Sequence, residues 1–198
     1  MTTEPVSTDP PWEPPLSGTE VEHLLGALDR LRWTFRWKAG DLGADGLGQR
    51  LGGSTLTLGG LVKHLAVQED YCTAVKISGA PMPSVWDDNG WDDDEDWELT
   101  SAAGEAPERL YALYDDAVAR ARETMARVIA SGGLDQAAAM ELRGGGHPSV
   151  RRLVFDLVEE YGRHTGHADL LREAVDGRVG EDPPGDWRPR TIDISKEG

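Results

Sequence analysis

The sequence is poor in cysteine, in basic residues and in long apolar runs. Its only cysteine, Cys72, cannot form an internal disulfide, so we expect a reducing, cytoplasmic environment. Lys and Arg number 20 against 36 Asp and Glu, which argues against nucleic acid and anionic membrane surfaces as partners, because clustered basic residues bind phosphate groups. No apolar run approaches the roughly 20 residues that span a bilayer.

Apolar residues recur at three- and four-residue steps in four segments, which predicts four amphipathic helices. These predicted helices cover residues 18–39, 57–78, 107–131 and 148–177. No segment competes with them as a strand, so the sequence predicts an all-α fold, a four-helix bundle over residues 18–177. Residues 1–17 lack the features of a secretory signal and are expected to form a disordered or extended arm. Residues 178–198 are expected to form a C-terminal extension.

The two longest connections differ in composition. Residues 41–53 are rich in glycine and are predicted as a loop. The crossover between the second and third helices, about residues 79–104, is acidic and is predicted to be a solvated surface excursion. An alternative is that Trp86, Trp91 or Trp97 folds back to wall a pocket. A connection this long can cross a bundle of roughly 33 Å, so the second and third helices can run parallel.

Three ligand-capable side chains interrupt the apolar stripe of the fourth helix, namely Glu160, His164 and His167. Burying such groups is costly unless they are paired or bind a metal. Glu160 and His164 are one turn apart, so their side chains emerge side by side. His64 stands between two leucines of the second helix and could supply a third ligand from across the bundle.

Two imidazoles and a carboxylate are the composition of catalytic zinc sites, and nickel or iron would also accept them. The alternative is that Glu160 and His164 form an ordinary one-turn pair at a wet helix edge. His64 would then be a hydrogen-bonded histidine at the edge of the core. Spacing alone leaves both interpretations open.

Two segments, TLTLGGLVKHLAVQE at residues 55–69 and EEYGRHTGHADLLRE at residues 159–173, resemble the DinB/YfiT-like superfamily. The resemblance is to its actinobacterial branch, near the N-terminal domains of mycothiol-dependent maleylpyruvate isomerases, and covers about residues 18–177. It implies a bundle with up-down-down-up order. It also implies a homodimer.

The same resemblance implies a metal held by His64, Glu160 and His164. A glutamate paired with a histidine at the last two positions is typical of the thiol-using branch. Asp156 stands where relatives often carry a histidine, and we interpret it as a residue that supports the ligands. With His167, it is a candidate for tuning ligands or moving protons.

The resemblance therefore predicts a divalent metal, zinc in the first place, and mycothiol as co-substrate. The expected function is a metal-dependent thiol S-transferase or isomerase acting on a small electrophile. The isomerase's separate C-terminal domain has no counterpart here, so maleylpyruvate isomerisation is not expected. Two alternatives are a metal-binding or stress-response protein without turnover and a metal-free helical dimer module.

The remaining candidates are interpreted as structural. Cys72 is expected to be a packed small hydrophobe, because its neighbours on the helix are apolar. His23 and His147 lie near element ends and are expected to be exposed. Trp33 and Trp37 could be core, pocket wall or dimer contact.

Overall fold

The computed structural model describes residue 10 and residues 12–189. Within that part of the chain the structure is helical, and one isolated bridge is the only β pairing. No helix there combines the length and apolar character that crossing a membrane requires. Parts of the predicted arm, residues 1–9 and 11, and of the predicted extension, residues 190–198, lie outside the described residues.

Four long helices form the bundle, as the apolar periodicity predicts. The long helices are α1 (Glu20–Ala39), α3 (Leu58–Asp70), α5 (Pro107–Gly132) and α6 (Val150–Asp176), and the short ones are α2 (Ala44–Gly48) and α4 (Trp97–Thr100). Thr19 and Ser149 cap α1 and α6, because their hydroxyls accept hydrogen bonds from otherwise free amides of the first turn. Gly177 ends α6 in the left-handed conformation, at φ 77°.

The prediction of a loop over residues 41–53 is wrong in one part, because α2 forms there. Its Leu47 is 3% exposed and lies beside Gly59 of α3 and Leu110 of α5. Burial of one leucine in the core outweighs the local cost of glycine in a helix.

The second predicted helix also differs from expectation in its last turns. It is α-helical to Asp70 and continues as a π-helix over Tyr71–Ile77. The Ser78 amide accordingly donates to the carbonyl of Thr73, five residues earlier. Over so short a segment, the spacing of apolar residues does not distinguish an α-helical turn from a π-helical one. The sequence pattern therefore did not indicate this change.

Contacts between the long helices confirm the up-down-down-up order. α1 and α6 run parallel, because Glu20 pairs with Arg151 near their starts and the carbonyl of Lys38 accepts from Arg172 near their ends. α3 and α6 run antiparallel. Cys72, past the end of α3, contacts the carbonyl of Leu153 in the first turn of α6.

α3 and α5 run parallel as well. Gly59 lies beside Leu110, and ten or so residues later Asp70 pairs with Arg120 through two bonds of 3.0 and 2.7 Å. The long crossover therefore returns the chain to the starting end of the bundle, as its length allows.

The prediction that this crossover is a solvated excursion is wrong. Its acids are largely exposed, but Trp86 is 2% exposed and donates its indole N–H to Asp70 over 2.8 Å. Trp97 packs under the ammonium of Lys63, which lies 3.9 Å from the ring centroid. The indoles bury apolar area against α3, which anchors an otherwise charged segment.

A cluster of hydrogen-bonded polar side chains lies in the centre of the bundle and includes one residue from each of the four long helices. Glu69 accepts from Arg32 over 2.7 and 2.6 Å and from the Tyr161 hydroxyl over 2.7 Å. The Tyr161 and Tyr114 hydroxyls are 3.0 Å apart. Burial raises the pKa of both phenols, which keeps them neutral. We call Arg32, Glu69, Tyr114 and Tyr161 the core network.

Candidate metal centre

His64 is held on the face of α3 that meets α6. Thr57 caps this helix with its hydroxyl, and Leu61 and Leu65 on either side of His64 are fully buried. These leucines determine the rotation of the helix in the core. The imidazole of His64, with 12% of its side chain exposed, therefore points along the seam between the two helices.

Glu160 and His164 meet His64 from α6. Nε2 of His64 lies 2.9 Å from Oε1 of Glu160, and Nε2 of His164 lies 3.1 Å from the same oxygen. The two imidazole rings are 4.8 Å apart between centroids. One ligand atom from each residue lies within 4.8 Å of the others, and no other group of His, Cys, Asp and Glu in the described residues converges in this way. We call these three residues the ligand cluster.

The donor set of the ligand cluster fits one divalent ion. Ligands about 2.1 Å from a tetrahedral zinc lie roughly 3.4 Å apart, and the two distances from histidine nitrogen to the Glu160 oxygen, 2.9 and 3.1 Å, are close to that spacing. Glu160 has 32% of its side chain exposed, whereas the imidazoles are largely buried. The cluster therefore opens to solvent on the Glu160 side, as a site with a free coordination position must.

Glu98 of α4 completes the surroundings of His64 from the crossover. Its Oε1 lies 3.3 Å from Nδ1 of His64, and its other oxygen accepts from the indole N–H of Trp91. In metal sites, a carboxylate on the second ring nitrogen holds the histidine in the orientation and tautomer that present the first nitrogen to the ion. Sequence reasoning missed Glu98, because one acid in an acidic crossover carries no distinguishing pattern.

The electrostatics of the cluster favour a bound cation. Burial lowers the pKa of His64, but its hydrogen bonds with Glu98 and Glu160 outweigh burial, and the net pKa is raised. Burial raises the pKa of Glu160, yet the hydrogen bond to His64 and the charge of His164 lower it overall. Burial, followed by the charge of His64, lowers the pKa of His164. The raised pKa of His64 indicates that its two carboxylate neighbours favour a positive charge between them, which a bound metal ion also supplies.

The two other candidates lie around this cluster in different ways. Nδ1 of His167 is 3.3 Å from Nδ1 of His164, so His167 contacts the ring of a cluster member. Asp156 bonds instead to Arg152 over 2.7 Å and is not part of the ligand cluster. It does line a small cavity together with Glu160.

Two cavities flank the cluster. The smaller, of about 120 Å³, includes Glu160, Asp156 and Lys76 in its lining, and we call it the polar cavity. The larger, of about 470 Å³, lies between the π-helical turn and the crossover, and Glu98 lines it. We call it the crossover cavity. Gln68, one turn beyond His64, lines both.

Cys72, His23 and His147 have the burial that the sequence predicts. Cys72 is 5% exposed, and burial raises the pKa of its thiol to about 12, so it is not a thiolate near neutral pH. His23 and His147 are exposed. Trp33 packs against the rings of Trp12 and Trp187, at centroid distances of 5.4 and 5.7 Å.

Comparison with known proteins gives one family. A family model described as mycothiol-S-transferase matches residues 23–177, which include the ligand cluster and all of the four long helices except the first three residues of α1. No curated protein matches the chain.

Proposed function

The chain belongs to the mycothiol S-transferase family, and from this premise we propose that it is a metal-dependent enzyme that joins mycothiol to a small electrophile. The observation that carries the proposal is the convergence of ligand atoms from His64, Glu160 and His164 within 4.8 Å. This donor set is that of catalytic metal sites, and it opens to solvent on one side. An isomerase that uses the same thiol chemistry is included in the proposal.

The proposed ion is zinc, and nickel or iron are compatible with the same donors. A divalent ion at this site supplies positive charge that lowers the pKa of a neighbouring thiol, so that the thiolate forms near neutral pH. His64 and His164 present Nε2, and Glu160 contributes the negative charge that offsets the cation. Glu98 accepts the Nδ1 proton of His64 and keeps Nε2 directed at the ion.

In the proposed transfer, the thiol sulfur forms a bond to the electrophilic carbon, and the leaving group departs with the electron pair of the bond that breaks. The thiol proton is released on the open side of the cluster. Asp156, in the lining of the polar cavity, is our proposed carrier for that proton. His167, within 3.3 Å of His164, is our proposed positioning residue for that ring.

The setting of the reaction is also part of the proposal. A cytoplasmic location agrees with a chain whose one cysteine is buried and free. The formal net charge of −16 supports the expectation that nucleic acid is not a partner. A homodimer follows from the family resemblance and stays a prediction.

The experiment combines metal analysis with turnover. Untagged protein should carry close to one equivalent of a transition metal and should conjugate mycothiol to monochlorobimane, and EDTA should abolish the conjugation. Readdition of zinc should restore it. Metal without turnover with any thiol would support the alternative of a non-catalytic metal-binding protein. Less than about a tenth of an equivalent of metal would contradict both proposals.

A further inference from the structure

The crossover cavity has the size and position of a substrate site. Its volume of about 470 Å³ lies within the range of small-molecule pockets, roughly 300–1,000 Å³. Glu98 lines the cavity and at the same time bonds to His64. Glu98 therefore connects the lining of the cavity to the ligand cluster.

Its walls are apolar and aromatic. Val67, Val75 and Met82 supply aliphatic surface, and Tyr71 and Trp91 supply the rings. Tyr71 is 43% exposed, which is unusual for a ring on the helix that forms the core. It begins the π-helical turn, and such turns are frequent at functional sites.

The aromatic wall is held in place before any ligand binds. The Trp91 indole donates to Glu98, and its ring meets the Trp97 ring edge to face at 4.9 Å. The ammonium of Lys63 holds Trp97 from the other side, 3.9 Å from its centroid. A preorganised ring costs little conformational entropy when a planar ligand stacks on it.

The charges around the cavity discriminate against anions. No Lys or Arg is among the described residues that line it, whereas Glu98 is a carboxylate. The neighbouring cation is Lys76, whose ammonium lies 4.7 Å from the centroid of the Tyr71 ring. Lys76 lines the polar cavity and not the crossover cavity. An anionic substrate in the crossover cavity would lose its hydration and face the Glu98 carboxylate, and no Lys or Arg among the described lining residues would offset that charge.

We propose that the crossover cavity binds the electrophile, and that this electrophile is an uncharged molecule with an apolar, aromatic body. This inference rests on the proposed function. Its reactive end passes Gln68, which separates the crossover cavity from the polar cavity beside Glu160. There the thiol sulfur bonds to the electrophilic carbon as the leaving group departs with its electron pair. Dicarboxylates such as maleylpyruvate are poor substrates in this arrangement.

The test uses two chloroarenes that undergo the same substitution of chloride by a thiol but differ in charge. Chlorodinitrobenzene is neutral, and chloronitrobenzoate carries a carboxylate. With each rate normalised to the uncatalysed reaction, kcat/KM of the unaltered protein should favour the neutral compound about 10-fold or more. Val75→Phe, which fills the cavity, should raise KM for chlorodinitrobenzene about 10-fold. Val179→Phe, at a residue that is 66% exposed, is the matched control and should leave KM unchanged.

A second pair of variants tests the charge of the wall. Met82→Lys should shift the preference towards chloronitrobenzoate about 10-fold, whereas Met82→Leu, which keeps the volume, should not. Circular dichroism and zinc content should be the same in all variants. An unchanged preference in Met82→Lys together with an unchanged KM in Val75→Phe would overturn the assignment of the cavity.

Binding of unreactive dinitrobenzene, measured by calorimetry, separates this inference from the proposed function. The unaltered protein and Val179→Phe should bind it, and Val75→Phe should bind it about 10-fold more weakly. Such binding without any conjugation would support the cavity assignment and contradict the transferase. Conjugation with equal dinitrobenzene binding in all variants would support the transferase and contradict the cavity assignment.

Discussion

The seam between α3 and α6 holds two carboxylates with opposite surroundings. Glu69 of the core network is fully buried and accepts three hydrogen bonds, two of them from Arg32. Glu160 of the ligand cluster is about one-third exposed and meets only His64 and His164. Arginine keeps its charge at any physiological pH, whereas imidazole can lose its proton.

This difference separates a structural charge from a binding site. Glu69 has a permanent cation as its partner, so nothing needs to enter from solvent. Glu160 faces two imidazoles, which bind a metal ion in their neutral form, so a metal ion can bind between these three side chains. Replacing glutamate by glutamine is therefore expected to affect stability in the core network and metal binding in the ligand cluster.

The largest effect is expected in the core network. Glu69→Gln removes the buried carboxylate from the guanidinium of Arg32, which is 4% exposed and keeps only its pair with the partly exposed Asp29. The change should lower the free energy of unfolding by ~3–5 kcal/mol. Urea denaturation measures this change. The matched control is Glu159→Gln on α6, whose exposed pair with Arg163 should change stability by no more than ~0.5 kcal/mol. Equal stability of the two variants would contradict the comparison.

A smaller effect on stability but a large one on metal is expected in the ligand cluster. Glu160→Gln removes the negative charge that offsets the cation and should weaken zinc binding at least ~100-fold. The metal-free protein should change stability by less than ~1 kcal/mol, because the side chain is partly exposed. Competition with a chelating dye measures the affinity, and Glu159→Gln is again the control. Unaltered zinc affinity in Glu160→Gln would remove the carboxylate from the proposed site.

The smallest effect is expected at Glu98, which supports a ligand. Glu98→Ala should weaken zinc binding about 10-fold, because His64 loses the acceptor for its Nδ1 proton. Glu98→Gln keeps an acceptor oxygen and should recover part of the affinity. Glu95→Gln, an exposed acid of the same crossover, is the control. If Glu98→Ala binds zinc as tightly as this control, the contact with His64 does not orient the ligand.

The sequence predicted the parts of this protein that depend on neighbours along the chain. Glu160 and His164 lie side by side because one helical turn separates them, and the four long helices follow from apolar residues at helical spacing. His64 was indicated by its place beside the apolar stripe and by the family resemblance. The predicted bounds of the fourth helix, residues 148–177, agree with those of α6 to within two residues.

Elements that depend on distant packing were predicted less well. The tryptophans among the acids of the crossover suggested a pocket wall as an alternative, and Trp91 does line the crossover cavity. Trp86, by contrast, is buried and donates to Asp70. Nothing in the local pattern distinguishes these two roles, because each depends on where α3 lies beneath the crossover. Asp156, interpreted from the resemblance as a supporting residue, pairs with Arg152 and lines the polar cavity with Glu160, so its role stays a prediction.

The sequence by itself determined the helices, their order along the chain and the chemistry of the donors, because each follows from spacing and side-chain type. Only the tertiary structure decided that one ring nitrogen of His64 meets Glu160 and that the other meets Glu98. Both contacts join residues more than thirty positions apart. Their geometry depends on how two helices and a crossover pack together. The spacing of residues along one helix does not indicate that packing.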